Sequence, residues 1–129
     1  MITGIVVTHG NLAEVLLETA RTIIGDFSNC YAVTNSSKSP QTLYDEIHSL
    51  VETEGGQFIV FVDYFGGSCS HTCLKIENAH ADTCVISGVN LPMLLAFLNK
   101  RESLPFDLLT GEIVERGQSS VKILDPSKL

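Results

Sequence analysis

The sequence predicts an α/β fold in which a doubly wound, mainly parallel sheet carries helices on both faces. Short apolar runs alternate with amphipathic stretches along the 129 residues, which is the pattern of successive βαβ units. The run from Phe58 to Val62 is apolar at every position, as expected of a central parallel strand covered on both faces. The chain length and a hydrophobic content of 44% suit one domain with its own core.

The first strand and helix are predicted from residue type and spacing. Ile2 to Thr8 is rich in β-branched residues and indicates a buried strand. Asn11 is placed to cap the helix that follows, and Gly25 is placed to end it. The helix residues expected to face the core recur at helical spacing, and they are Leu12, Val15, Leu16, Thr19, Ala20, Ile23 and Ile24.

The later elements follow from similar signals. Cys30 to Thr34 predicts a second strand, and Ser39-Pro40 favours the start of a helix that Gly55-Gly56 ends. Beyond Phe58 to Val62 we expect a helix from about Ser68 to Ala79, a strand from Thr83 to Ser87, a helix from Asn90 to Lys100, a helix from Pro105 to Arg116 ended by Gly117, and a short strand from Val121 to Leu124. One domain is expected over residues 1–124, with a tail over 125–129.

The composition argues against several classes of partner. The net charge is −7 and the isoelectric point is about 4.9, whereas a face that binds nucleic acid must be basic. An anionic membrane surface is disfavoured for the same reason. No signal peptide is visible, and no apolar run reaches the roughly 20 residues of a membrane span. We therefore expect a cytoplasmic protein whose four cysteines stay reduced.

Two predicted strands end in chemically capable residues. His9 follows the first strand and Asp63 follows the third, and open parallel sheets bind ligands beyond the carboxyl ends of their strands. An imidazole nitrogen is a usable nucleophile when the other ring nitrogen is held as a donor, and Asp63 is placed to hold it. Either residue alone is common in turns, so the pair carries the prediction.

A glycine-rich entry to the next helix lies beside this pair. Gly66 and Gly67 allow close backbone approach, and the helix beginning at Ser68 presents unpaired N–H groups and a positive dipole end. These features suit a phosphoryl group in transfer, although such an entry is more often only flexible. No Gly-Lys-Ser/Thr follows, so a nucleotide-hydrolysing loop is not supported.

Three segments occur in a characteristic order. They are Ile5-Val6-Val7-Thr8-His9-Gly10 with Leu12-Ala13-Glu14 and Leu17, then Phe61-Val62-Asp63-Tyr64-Phe65-Gly66-Gly67-Ser68, then Val85-Ile86-Ser87-Gly88-Val89-Asn90-Leu91-Pro92-Met93-Leu94. The series resembles the mannose-type enzyme IIA domains of the bacterial phosphoenolpyruvate-dependent sugar phosphotransferase system. The resemblance extends from the first strand to about Lys122.

The resemblance implies both a fold and a function. The fold is a doubly wound sheet with strand order 2-1-3-4, in a homodimer that exchanges the strand Val121 to Leu124. The function is transfer of phosphate from phosphorylated HPr through His9 to an enzyme IIB, with an indirect link to the membrane components IIC and IID. Asp63 orients His9, while Gly66, Gly67 and Ser68 bind the phosphoryl oxygens. No metal, nucleotide or other cofactor is implied.

One stretch departs from the family pattern. Members usually continue the Gly-Gly-Ser motif with Pro, whereas this chain reads Cys69-Ser70-His71-Thr72-Cys73. The loss of Pro removes a preorganised first helical position, and His71 adds a titratable group near the site. The departure affects the expected tuning of phosphate affinity and the choice of IIB partner, but it leaves His9, Asp63 and Ser68 in place.

Four alternatives stay open. A metal site on Cys69, His71 and Cys73 with His80 and Cys84 matches no common zinc spacing. A histidine phosphatase would need Arg where Thr8 stands and cationic clamps on phosphate. A phosphocarrier of the dihydroxyacetone-kinase type shares the fold and an equivalent histidine. A regulatory or non-catalytic binding module of this fold would use phosphorylation as a signal or act through binding alone.

Overall fold

A computed structural model describes residues 1–129. In chain order the elements are β1 (Thr3–Thr8), α1 (Leu12–Ile24), β2 (Cys30–Thr34), α2 (Pro40–Glu54), β3 (Phe58–Val62), α3 (Ser68–Ala79), β4 (Thr83–Ile86), α4 (Leu91–Lys100), α5 (Phe106–Ser119) and a short 3₁₀ turn at Pro126–Lys128. None of the helices has the length and apolar character that crossing a bilayer requires.

The four strands form one parallel sheet in the order β2-β1-β3-β4, so the predicted fold class and strand order are confirmed. In the register of the sheet, Val7 of β1 lies opposite Val62 of β3, and Thr8 lies opposite Thr34 of β2. The residues that follow β1 and β3 therefore emerge side by side at the carboxyl edge of the sheet.

Helices cover both faces of the sheet. Because side chains alternate along a strand, Val6 points into one core while Ile5 and Val7 point into the other. The first core includes residues of α1, α4 and α5, such as Leu17, Met93, Leu94, Phe97, Leu109 and Ile113. The second includes residues of α2 and α3, such as Leu43, Ile47, Val51, Cys69, Cys73 and Ile76.

A buried arginine ties the amino-terminal edge of the sheet together. Arg101, directly after α4, is only 7% exposed. Its guanidinium donates hydrogen bonds to the carbonyl oxygens of Ile2 (3.2 Å), Asn29 (2.9 Å) and Ser28 (2.6 Å). These carbonyls precede β1 and β2, so one cation fixes the start of two adjacent strands.

The predicted inward face of α1 was right at Leu16 and Ala20 but wrong at most of its other positions, and the predicted cap was wrong. Ala13, Leu17 and Ala20 are the buried residues of this helix, whereas Leu12, Val15, Ile23 and Ile24 are between 37% and 54% exposed. The small alanine side chains let the helix lie against the sheet. Asn11 makes no capping hydrogen bond with its side chain, and Thr8 Oγ1 instead accepts from the amide of Ala13 at 2.8 Å.

One expectation about the end of the chain was also wrong. Gly117 does not end α5, which continues to Ser119. A Cβ atom at Gly117 would lie 2.5 Å from Met93 Cγ, so this glycine permits close contact between α4 and α5. Residues 121–124 form no strand within the single chain, and the exchanged strand predicted there stays a prediction. In the tail, the Asp125 side chain caps a 3₁₀ turn by accepting from the amide of Ser127.

We predict that Arg101→Met lowers the free energy of unfolding by about 2–4 kcal/mol, because buried carbonyls lose a charged donor. The measurement is urea unfolding at neutral pH. Arg116→Met is the matched control, since the Arg116 side chain is 57% exposed and pairs with Glu112 at the surface. Its loss should stay below about 1 kcal/mol. Equal losses in the two variants would contradict the proposed role of Arg101.

Candidate functional site

His9 lies in a tightly fixed turn between β1 and α1. Gly10 adopts a φ of +56°, which a residue with a side chain rarely takes, and this turns the chain after His9. Thr34 Oγ1, at the end of the neighbouring strand β2, donates to the carbonyl oxygen of Gly10 at 2.6 Å. The backbone of His9 is therefore held on both sides, while its side chain remains 40% exposed.

Asp63 contacts His9 through both the ring and the backbone. His9 Nδ1 lies 2.7 Å from Asp63 Oδ2, and the His9 amide donates to the same oxygen at 3.0 Å. The amide of Tyr64 donates to Asp63 Oδ1 at 3.0 Å. The structure thus brings together the two residues that the sequence placed at the ends of β1 and β3.

These contacts fix the charge of the carboxylate. Burial raises the pKa of Asp63, but the hydrogen bonds from the amide and ring of His9 and from the amide of Tyr64 outweigh it, and the net pKa is lowered. Asp63 is therefore ionised at neutral pH. A group with a lowered pKa stabilises the fold above the ordinary carboxyl pKa and loses that contribution as the pH falls through its own value.

An ionised carboxylate can only accept hydrogen bonds, so the neutral ring of His9 donates through Nδ1. Nε2 is then the nitrogen with a free lone pair. Because the side chain is partly exposed, this nitrogen can meet a reactant from solvent.

The glycine-rich segment lies against the ring of His9. A Cβ atom at Gly67 would stand 3.3 Å from His9 Cε1 and 3.0 Å from the ring of Tyr64, so only glycine fits there without displacement. Gly66 adopts a φ of +106°. Its amide donates to Ser70 Oγ at 3.0 Å, which in turn donates to the carbonyl oxygen of Gly67 at 2.9 Å. Gly66 thus shapes the loop, and its amide is already occupied.

The amino end of α3 supplies the free donors. The first helical hydrogen bond runs from the amide of His71 to the carbonyl of Gly67 at 3.2 Å. The amides of Ser68, Cys69 and Ser70 precede it and have no acceptor within the helix. Asn35 Nδ2 lies 3.4 Å from Ser68 Oγ and holds that hydroxyl near β2. Such an end favours an anion.

Sequence reasoning missed two neighbours of His9. The Tyr64 ring stacks on the imidazole, with centroids 5.4 Å apart and an interplanar angle of 24°. Cys69 Sγ lies 4.0 Å from His9 Nδ1. Burial, and then the charge of Asp63, raise the pKa of Cys69 to about 11, so it stays a neutral thiol. Tyr64 follows Asp63 directly in the sequence, but the stacking of its ring on His9 depends on the loop conformation.

The cysteine and histidine set considered for a metal does not converge. Cys69 and Cys73 are buried on one face of α3, and His71 is exposed. Two other groups place possible ligand atoms within 4.8 Å of one another, namely His9 with Asp63 and Cys69, and His48 with Glu52 and His80. The first of these belongs to the site already described.

Fold and site together define a class of protein, a doubly wound α/β domain with a carboxylate-held histidine at the carboxyl edge of its sheet. The family model described as "PTS system fructose IIA component" matches residues 3–114. The chain belongs to this family, the mannose/fructose-type IIA components of the phosphotransferase system, as the sequence motifs predicted.

Relatives and solved structures agree with this assignment. The chain is 35% identical over 123 residues to the "PTS system mannose-specific EIIAB component" of Escherichia coli (strain K12), covering 91% of this chain but only 38% of that protein. It is 29% identical to the "PTS system fructose-specific EIIA component" of Bacillus subtilis (strain 168), covering 95% and 86% of the two chains. The phosphotransferase system component EIIA from Streptococcus agalactiae shares the fold, with a TM-score of 0.89, 22% identity and 100% coverage of both chains.

We predict that neutral His9 carries its ring proton on Nδ1, and that Asp63→Asn raises the fraction protonated on Nε2. The physical reason is that a carboxylate accepts only, whereas an amide offers a donor as well. Ring ¹⁵N chemical shifts of His9 measure the tautomer. Asp26→Asn, an exposed substitution in the loop after α1, should leave the shifts unchanged. An Nε2–H tautomer in the unaltered chain would contradict this reading of the contact.

Proposed function

We propose that the protein is a phosphohistidine carrier that accepts a phosphoryl group from phosphorylated HPr on His9 and passes it to an enzyme IIB for sugar uptake and phosphorylation. The observation that carries the proposal is the 2.7 Å contact between His9 Nδ1 and Asp63. It leaves Nε2 as the nucleophile at an accessible edge of the sheet.

The proposed phosphoryl transfer conserves atoms and electrons without a cofactor. The lone pair of His9 Nε2 attacks phosphorus, the N–P bond to the donor histidine breaks, and the donor ring keeps the electron pair. Positive charge that develops on the His9 ring is offset by Asp63 across the Nδ1–H bond. The second transfer repeats these steps with the phosphoryl group leaving His9. Positioning and electrostatics then supply the catalysis, as in phosphoryl transfer generally.

The amino end of α3 is the proposed cradle for the phosphoryl oxygens. The unpaired amides from Ser68 onward, the Ser68 hydroxyl and the positive helix end all favour an anion beside His9. Gly67 contributes by leaving space for the imidazole. The role of Gly66 is conformational, since its amide is engaged by Ser70.

Two exposed aromatic side chains in the loop after Asp63 suit a protein partner. Tyr64 is 55% exposed and Phe65 is 75% exposed in the loop that follows Asp63. Exposed aromatic residues are enriched at the centres of protein interfaces. The net charge of −7 also favours association with a basic docking face, as proposed for HPr. The relative from Escherichia coli is named an EIIAB component, which supports an enzyme IIB as the acceptor.

The proposed carrier is a homodimer that exchanges residues 121–124. Val121, Ile123 and Leu124 are between 80% and 99% exposed in the single chain. Such an apolar segment without a partner is costly in water and suits pairing with a second copy. In this proposal residues 1–124 form the domain and 125–129 its tail.

We predict that phosphoenolpyruvate, enzyme I and HPr place one acid-labile phosphate on the chain, at His9. His9→Ala should abolish labelling, and Asp63→Asn should slow it by about 100-fold because the imidazole is no longer held in register. Labelling is followed by mass spectrometry of the intact and digested protein. His48→Ala is the matched control because His48 lies on α2, away from His9, and it should be labelled at the normal rate.

Normal labelling of His9→Ala would overturn the proposed carrier. The acceptor step is tested separately, by adding an enzyme IIB and following loss of phosphate from His9. Phosphorylation of His9 without onward transfer to any IIB would favour a regulatory module.

We predict that Ile123→Asp converts the protein from a dimer to a monomer, because a charge would enter the exchanged apolar strand. Analytical ultracentrifugation measures the mass in solution. Lys128→Asp is the control, since Lys128 lies beyond the proposed strand in the 3₁₀ turn. A monomeric unaltered chain, or a variant that remains dimeric, would contradict the exchange.

A further inference from the structure

A second cluster of histidine and carboxylate groups lies far from His9. His48 and Glu52 are four residues apart on α2 and therefore share one face of that helix. His80 follows the last residue of α3. These groups come together because α2 and α3 pack side by side on the same face of the sheet.

The possible ligand atoms of the cluster lie close to one another. His48 Nδ1 lies 3.0 Å from His80 Nε2. Two imidazole nitrogens bound to one tetrahedral Zn²⁺ stand roughly 3.3 Å apart, given Zn–N bonds of about 2.0–2.1 Å. Glu52 Oε1 lies 3.9 Å from the other ring nitrogen of each histidine, His48 Nε2 and His80 Nδ1. One ligand atom from each residue lies within 4.8 Å of those of the other two.

The imidazole rings of His48 and His80 are held in place, whereas the carboxylate of Glu52 is free to move. The Tyr44 ring stacks on His48 with centroids 5.8 Å apart and an angle of 11°, which restricts rotation of that imidazole. The His80 side chain is only 17% exposed, whereas Glu52 is 61% exposed. A metal site therefore requires the exposed Glu52 side chain to rotate towards His48 Nδ1 and His80 Nε2.

We propose that His48, Glu52 and His80 form a binding site for a divalent transition metal, with Zn²⁺ as the reference ion. Two imidazoles and a carboxylate suit borderline ions such as Zn²⁺, and the open fourth position would hold water. His80 caps α3 at the negative end of its dipole, which also favours a cation.

Metal binding at this site would hold two helices together and would be independent of phosphoryl transfer. A bound ion would link α2 to the end of α3, replacing a hydrogen bond between two imidazoles by bonds to one metal. The active site lies at the other end of α3, about 18 Å away for a helix of 12 residues. The proposal therefore does not depend on the proposed function.

The test is isothermal titration of the metal-free full chain with Zn²⁺, together with thermal melting with and without the ion. We expect one Zn²⁺ per chain and a rise in melting temperature on binding. His48→Gln and His80→Gln should each weaken Zn²⁺ binding by about tenfold or more. Glu52→Gln should weaken it as well, and because this side chain is exposed the metal-free melting temperature should stay unchanged.

Two histidine controls make the result specific. His71→Gln alters an exposed histidine on α3 outside the cluster, and His9→Gln removes a ligand of the competing group with Asp63 and Cys69. Both should bind Zn²⁺ as the unaltered chain does. The proposal fails if the unaltered chain binds no Zn²⁺, if His48→Gln and His80→Gln bind normally, or if the controls lose binding equally.

Discussion

The parallel pairing of β1 with β3 is the constraint on which the rest of the molecule depends. It places two strands from distant parts of the sequence in the middle of the sheet, where both faces are covered by helices. The same pairing sets Val7 opposite Val62, so His9 and Asp63 leave the sheet as neighbours. A shift of one residue would turn the strand side chains to the opposite faces and separate the two functional groups. Core packing therefore enforces the geometry of the site.

The negative charge of the partly buried Asp63 carboxylate is stabilised by groups that are in place before any reactant binds. Burial disfavours the ionised form of Asp63, but the two amides and the imidazole that donate to it outweigh this cost. Both amides belong to the residues that begin the turns after β1 and β3. The backbone thus orients the carboxylate, and the carboxylate orients the ring of His9. The proposed phosphoryl transfer would therefore need little rearrangement of these groups, which is what electrostatic preorganisation requires.

The sequence was sufficient to predict an element where one pattern, such as an apolar run, extends over the whole element. Apolar runs located all four strands, and residue types at the strand ends located His9 and Asp63. It was insufficient where the outcome depends on packing between elements. The inward face of α1 includes Ala13 and Leu17, which the spacing did not predict, while Leu12 and Val15 lie exposed. The hydrogen bonds that Thr8 accepts from Ala13 and that Ser70 accepts from Gly66 depend on particular loop conformations. The contact between His80 and His48 joins residues 32 positions apart in the sequence.

Helix α3 presents opposite partial charges at its two ends, which suits the two proposed chemistries. Its buried face, which includes Cys69, Cys73 and Ile76, anchors it against the sheet. Its amino end has free amides and partial positive charge beside His9, whereas its carboxyl end has partial negative charge beside His80. An anion is favoured at the first end and a cation at the second. Since the helix is rigid over its length, a metal at the far end would hold α3 against α2 while leaving the ring of His9 and its carboxylate untouched.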